Sequence, residues 1–159
     1  MIPRSLVLGA TLDRGGGESG RIIVGIDGSE SSLHALVWAA GVARRTNQKL
    51  IAVHVQPTVR GVMAASFIPE SVLLIDEDQE GPWRELETLA QRVGRELDIS
   101  VEFRRVRGDR SRELVRMAVA DGADLVVVGR SRKAFVRLSG SVARRLAGAR
   151  EAPIVVVVP

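Results

Sequence analysis

The chain has 159 residues, 45% of them apolar, and 23 basic against 19 acidic side chains for a net charge of +4. That is the length of one domain with an ordinary core, and aromatics at 3% make that core aliphatic. Cysteine is absent, which excludes disulfides, thiolate metal sites and cysteine nucleophiles.

Residues 1–20 read as an N-terminal extension, with Gly15, Gly16 and Gly17 as a flexible linker. The apolar stretch Ser5 to Leu12 is short and LDRGGG follows it, so a signal peptide is not expected. No apolar run approaches the roughly 20 residues of a membrane span, and the expected location is cytoplasmic. Residues 21–159 read as a single domain.

Arg21 to Asp27 (RIIVGID) is an unbroken apolar run, as in a strand buried on both faces. Gly28-Ser29 then opens a helix with Ser29 as its N-cap. Leu33, Leu36, Val37 and Ala40 are expected on its inner face. Lys49 to Val55 is a second buried strand, stopped by Pro57. Residues 56–82 are long and mixed for a loop, with an acidic cluster at Asp76, Glu77, Asp78 and Glu80. Trp83 to Leu97 carries Leu86, Leu89, Ala90, Val93 and Leu97 in helical phase. Ile99 to Val106 alternates instead, which marks a half-exposed strand at a sheet edge. Ser111 is the expected cap of a helix reaching about Asp121, closed by Gly122. Leu125 to Val128 is a buried strand, Val142 to Ala147 a helix, and Ile154 to Val158 a last strand.

This alternation predicts an α/β fold: an open, mostly parallel, Rossmann-like sheet with helices on both faces and right-handed crossovers. Ligands in such sheets sit beyond the carboxyl ends of the strands, where strand order reverses. The first and fourth strands end at Asp27 and Gly129, so those two turns are expected to line the crevice. The N–H groups and dipole opening the Gly140-Ser141 helix suit an anion. Arg130, Arg132, Lys133 and Arg137 add positive charge.

Three stretches together resemble the universal stress protein (UspA-like) family: IIVGIDGSESSLHAL, ADLVVVGRS, and GSVARRL with APIVVVVP. The resemblance covers about Arg21 to Val158. It implies a five-stranded parallel sheet in the order 3-2-1-4-5. It also implies ATP or another adenine nucleotide as ligand, with magnesium if a triphosphate. By the same resemblance contacts fall at Asp27, Gly129, Gly140 and Ser141; Val53 as an apolar wall, the charges of Arg130 and Arg132, and Val142 complete the expected cofactor-binding set. Members that bind ATP share G-x-x-G, nine residues, then G-[S/T]. Here Gly129 and Gly140-Ser141 match. Arg132 replaces the second glycine, and seven residues rather than nine precede Gly140. The arginine adds charge but fills space that a glycine leaves open. The last strand would lie at a sheet edge, where an open backbone invites pairing; the resemblance implies a homodimer through Ile154 to Val158.

Simpler readings stand beside these. Asp27 serves equally as a turn residue before Gly28. Gly25 and Gly28 fit turns and packing, and Val53 or Val55 fits core as well as a wall against a base. His34 and His54 have no partner at metal spacing, and no metal site is expected. No catalytic triad, paired carboxylate or HExxH is visible, so no catalytic residue is assigned. Arg44, Arg45, Arg144 and Arg145 are basic, but without Tyr and with few aromatics a nucleic-acid partner is not expected. Three functions compete: a dimeric nucleotide-binding stress-response module, a nucleotide-independent module acting through unknown protein partners, and an ATP-hydrolysing enzyme of the PP-loop-related class.

Overall fold

A computed structural model describes residues 20–56, 81, 83–130 and 154–158, without the side chains of 154–157. Their elements are strand β1 (Arg21–Gly25), helix α1 (Glu30–Thr46), strand β2 (Lys49–Gln56), helix α2 (Trp83–Glu96), strand β3 (Val101–Arg107), helix α3 (Arg110–Ala120), strand β4 (Leu125–Gly129) and strand β5 (Ile154–Val158). The fold is the expected α/β class, with a parallel sheet in the order β3-β2-β1-β4-β5. β1 therefore lies between β2 and β4, and the chain leaves it in opposite directions, as a crevice at the strand ends requires.

The unbroken apolar runs follow from burial on both faces. Successive strand residues point to opposite sides. Ile22, Val24, Leu50, Ala52 and Val127 pack under α1 and α2. Ile23, Ile51, Val53, Val55, Val126 and Val128 pack under α3. β3 alternates because it is an edge strand. Val101 and Phe103 face the α1–α2 side, while Val106 faces the α3 side. Arg104 of β3 bonds Glu102 and the Asp121 carboxylate, each at 2.6 Å. Arg105 lies 4.7 Å over the ring of Trp83 at the start of α2.

Three expectations need correction. Asp109, not Ser111, caps α3: its backbone is extended and its carboxylate accepts the Arg112 N–H at 2.9 Å. Ser111 is buried inside the first turn. The inner face of α1 is Ser32, Ala35, Leu36, Ala39, Ala40 and Ala43, while Val37 points outward at 54% exposure. The stripe is centred one residue earlier than expected because alanines supply most of it. The edge strand begins at Val101, with Ile99 packed against the core just before it. The extension 1–19, the acidic cluster at 76–80 and the helix at 142–147 lie outside the described residues.

Candidate functional site

The site is built at the carboxyl end of β1. Ile26 continues the sheet by donating to the Val53 carbonyl at 2.9 Å. Asp27 then turns the chain, and Gly28 holds a left-handed φ of +85° that glycine adopts without strain. Ser29 is the N-cap of α1, as its sequence context predicts: its hydroxyl oxygen accepts the Ser32 N–H at 3.3 Å. Asp27 Oδ1 accepts both the Ser29 N–H at 3.0 Å and the Ser29 hydroxyl at 2.6 Å. The Asp27 N–H donates to Ser32 Oγ at 3.3 Å, and that hydroxyl donates to the Ser29 carbonyl at 2.9 Å.

The second oxygen of Asp27 reaches across the sheet end. Arg110 Nη1, from the first residue of α3, donates to Oδ2 at 2.9 Å. This pair ties α1 and α3, which cover opposite faces of the sheet, over the end of β1. Burial alone would raise the Asp27 pKa. The hydrogen bonds from Ser29 and Ser32 and the Arg110 charge outweigh it, and the net shift is downward. Asp27 is thus held as a carboxylate.

Gly129 closes the crevice from β4. A Cβ at this position would stand 2.6 Å from the Ser32 nitrogen and would overlap the Ser31 carbonyl group. The glycine is required because the first turn of α1 rests directly on the β4 backbone.

Gly25, Ile26, Asp27, Ser29, Ser32, Val53, Val55, Arg110, Leu114, Val128 and Gly129 line one crevice, a space of about 430 Å³ counting its open mouth. Three expected contacts, Asp27, Val53 and Gly129, come together there. The Arg130 side chain is exposed and absent from this lining, and its N–H donates to the Val158 carbonyl at 2.7 Å. Arg132, Gly140, Ser141 and Val142 lie outside the described residues. His34 is exposed, and His54 places Nδ1 3.0 Å from the Ile26 carbonyl, a structural contact. Among the described residues no group of three His, Asp or Glu side chains could hold a metal ion, and no helix is long and apolar enough to cross a membrane. Arg110 is the site residue that sequence reasoning missed. Its partner is 83 positions away, and only the general rule that loops after parallel strands meet at one sheet end could have suggested it.

A crevice of this kind, walled by valines on one side of β1 and by a packed glycine turn on the other, defines an open doubly wound α/β protein with a switch-point site. The universal stress protein family model matches residues 18–158, and the chain belongs to that family. A universal stress protein of Methanocaldococcus jannaschii is 29% identical over 142 residues, covering 86% of this chain and 81% of that protein. A protein of the same family from Burkholderia pseudomallei is similar in structure, with 27% identity, a TM-score of 0.63, and 91% of this chain and 99% of that one covered. A universal stress protein solved in complex with cAMP is 27% identical, with a TM-score of 0.56 and coverage of 88% and 96%.

Proposed function

We propose that this protein is a small, dimeric stress-response module whose crevice binds an adenine nucleotide. The observation that carries the reading is the pairing of an apolar wall with a polar edge in one crevice. Val53, Val55, Leu114 and Val128 suit the faces of a base, and the Asp27–Ser29–Arg110 cluster gives the crevice a polar, charged edge on the sugar side of the ligand. These residues fit a nucleoside, and a similar protein at 27% identity was solved with cAMP. Gly129 and Arg130 stand where β4 ends, which is where the 5′-phosphates would be drawn. Magnesium would arrive on the triphosphate rather than in a site made by the described residues. Isothermal calorimetry with ATP, ADP, AMP and cAMP up to millimolar concentration tests the reading, and absence of heat from all four would end it.

Arg132 and the loop shortened by two residues favour a second reading, a nucleotide-independent module that works through protein contacts. In that case Arg132→Gly with the two residues restored gains ATP binding that the natural chain lacks. For assembly, the five-stranded sheet ends at β5, whose outer edge has no neighbouring strand among the described residues. A second copy pairing along Ile154–Val158 would cover it. Sedimentation velocity giving a monomer at tens of micromolar would sink the dimer.

A further inference from the structure

Asp27 and Arg110 meet inside the crevice, and their hydrogen-bonding capacity decides what this corner recognises. An ionised carboxylate has about four acceptor sites, two on each oxygen. Oδ1 already holds two donors, both from Ser29. Oδ2 holds the Arg110 Nη1–H at 2.9 Å, which leaves it about one site. A guanidinium carries five N–H donors. Arg110 uses one of them on Asp27, and no other acceptor among the described residues takes the rest. Among the described residues the corner is therefore rich in donors and short of acceptors. It is also reachable, with the side chains of Arg110 and Asp27 42% and 25% exposed.

A sugar diol can accept N–H groups through its oxygens, but its two O–H donors find about one acceptor site left on Asp27 among the described residues. A phosphate brings only acceptors and finds a planar fork of N–H groups. Position matters too. Val53 and Val55 belong to β2, and Gly129 belongs to β4 on the other side of β1. If the 5′-phosphate goes to the Gly129 end, the sugar lies over β1, beside Arg110.

We infer that the Asp27–Arg110 pair makes this crevice select nucleotides carrying a phosphate on the 2′ or 3′ side of the sugar over those with free hydroxyls there. The inference rests on the nucleotide-binding reading above, and it makes Arg110 a specificity-determining residue. Calorimetry with adenosine 2′-, 3′- and 5′-monophosphate tests it on the natural chain, Arg110→Gln and Arg110→Lys. A charge-assisted contact predicts at least about tenfold tighter binding of the 2′- or 3′-monophosphate than of the 5′ isomer. Arg110→Gln brings the isomers level by weakening the 2′- or 3′-monophosphate more than the 5′-monophosphate. Arg110→Lys keeps the charge but loses the fork, so the ratio falls part of the way; it also serves if the glutamine variant does not fold. Loss of structure alone would weaken all three isomers together. Equal affinities in the natural chain, or a preference that survives Arg110→Gln, overturns the inference while leaving nucleotide binding intact. Silence toward every nucleotide, ATP included, overturns the nucleotide reading and this inference with it.

Discussion

Replacing Gly129 with alanine tests whether this glycine is held by packing. The added methyl would stand 2.6 Å from the Ser32 nitrogen, closer still to the Ser31 carbonyl, where ordinary van der Waals contact begins at 3.4 Å. Either α1 retreats by the better part of an ångström, or β4 shifts against β1. Neither is easy. The obstructing atoms are backbone, and the turn they belong to is fixed by the Ser29 cap and the Asp27 bonds. Overpacking costs about 1–3 kcal/mol, and obstruction by rigid backbone puts this case near the upper end, about 3 kcal/mol. For a chain of this length that is a fall in Tm of about 6–12 °C. Thermal melting by circular dichroism, backed by urea titration, reads it directly and needs no ligand. A melting temperature within about 1 °C of the natural protein's would refute the packing argument.

Two further changes probe the same corner. Ser29→Ala removes the cap of α1 and one donor to Asp27, so urea titration should show a loss of about 1–2 kcal/mol; a change below about 0.3 kcal/mol would mean that water replaces the hydroxyl at no cost. Asp27→Asn tests the carboxylate. Its folded pKa lies below the ordinary 3.8, so its contribution is fully present above that ordinary value and fades as pH falls through the folded one. The variant should be less stable than the natural chain at neutral pH, with the gap closing below about pH 4. A gap of constant size down to about pH 2 would show that the charge of Asp27 contributes nothing.

Most of the fold is legible because β1, β2 and β4 are buried on both faces and β3 is not. Unbroken runs such as Ile22 to Val24 and the alternation of Val101, Glu102 and Phe103 record that difference directly. The Ser29 cap is legible because it follows the Gly28 turn that ends the first strand, although Asp27, Ser31 and Ser32 nearby are cap-type too. Asp109 and Ser111 are both cap-type and two residues apart, and spacing does not say which one has extended backbone. Val37 misleads because a valine weighs more than an alanine in any apolar pattern, although alanines form the contact. The site is half legible. Asp27, Val53 and Gly129 stand at strand ends, where the pattern points. Arg110 is one of 23 basic residues, and nothing in its neighbourhood names its partner. Gly129 is legible as a residue but not as a cause. It matches a phosphate-loop motif, yet the α1 turn alone is enough to require it.

The inner face of α1 is built largely from methyl groups: Ala35, Ala39, Ala40 and Ala43 are each at most 1% exposed. Side chains this short let the helix axis settle close to the sheet, so this layer contains little material to remove. Its tolerance to change is therefore lopsided. Truncation has few targets beyond Leu36, whereas at the four alanines any enlargement lifts the helix from its bed. Harmful substitutions in this layer should mostly be additions of volume. Under α3, where Leu114 and Met117 form the contact, truncation has more to remove and leaves a larger cavity.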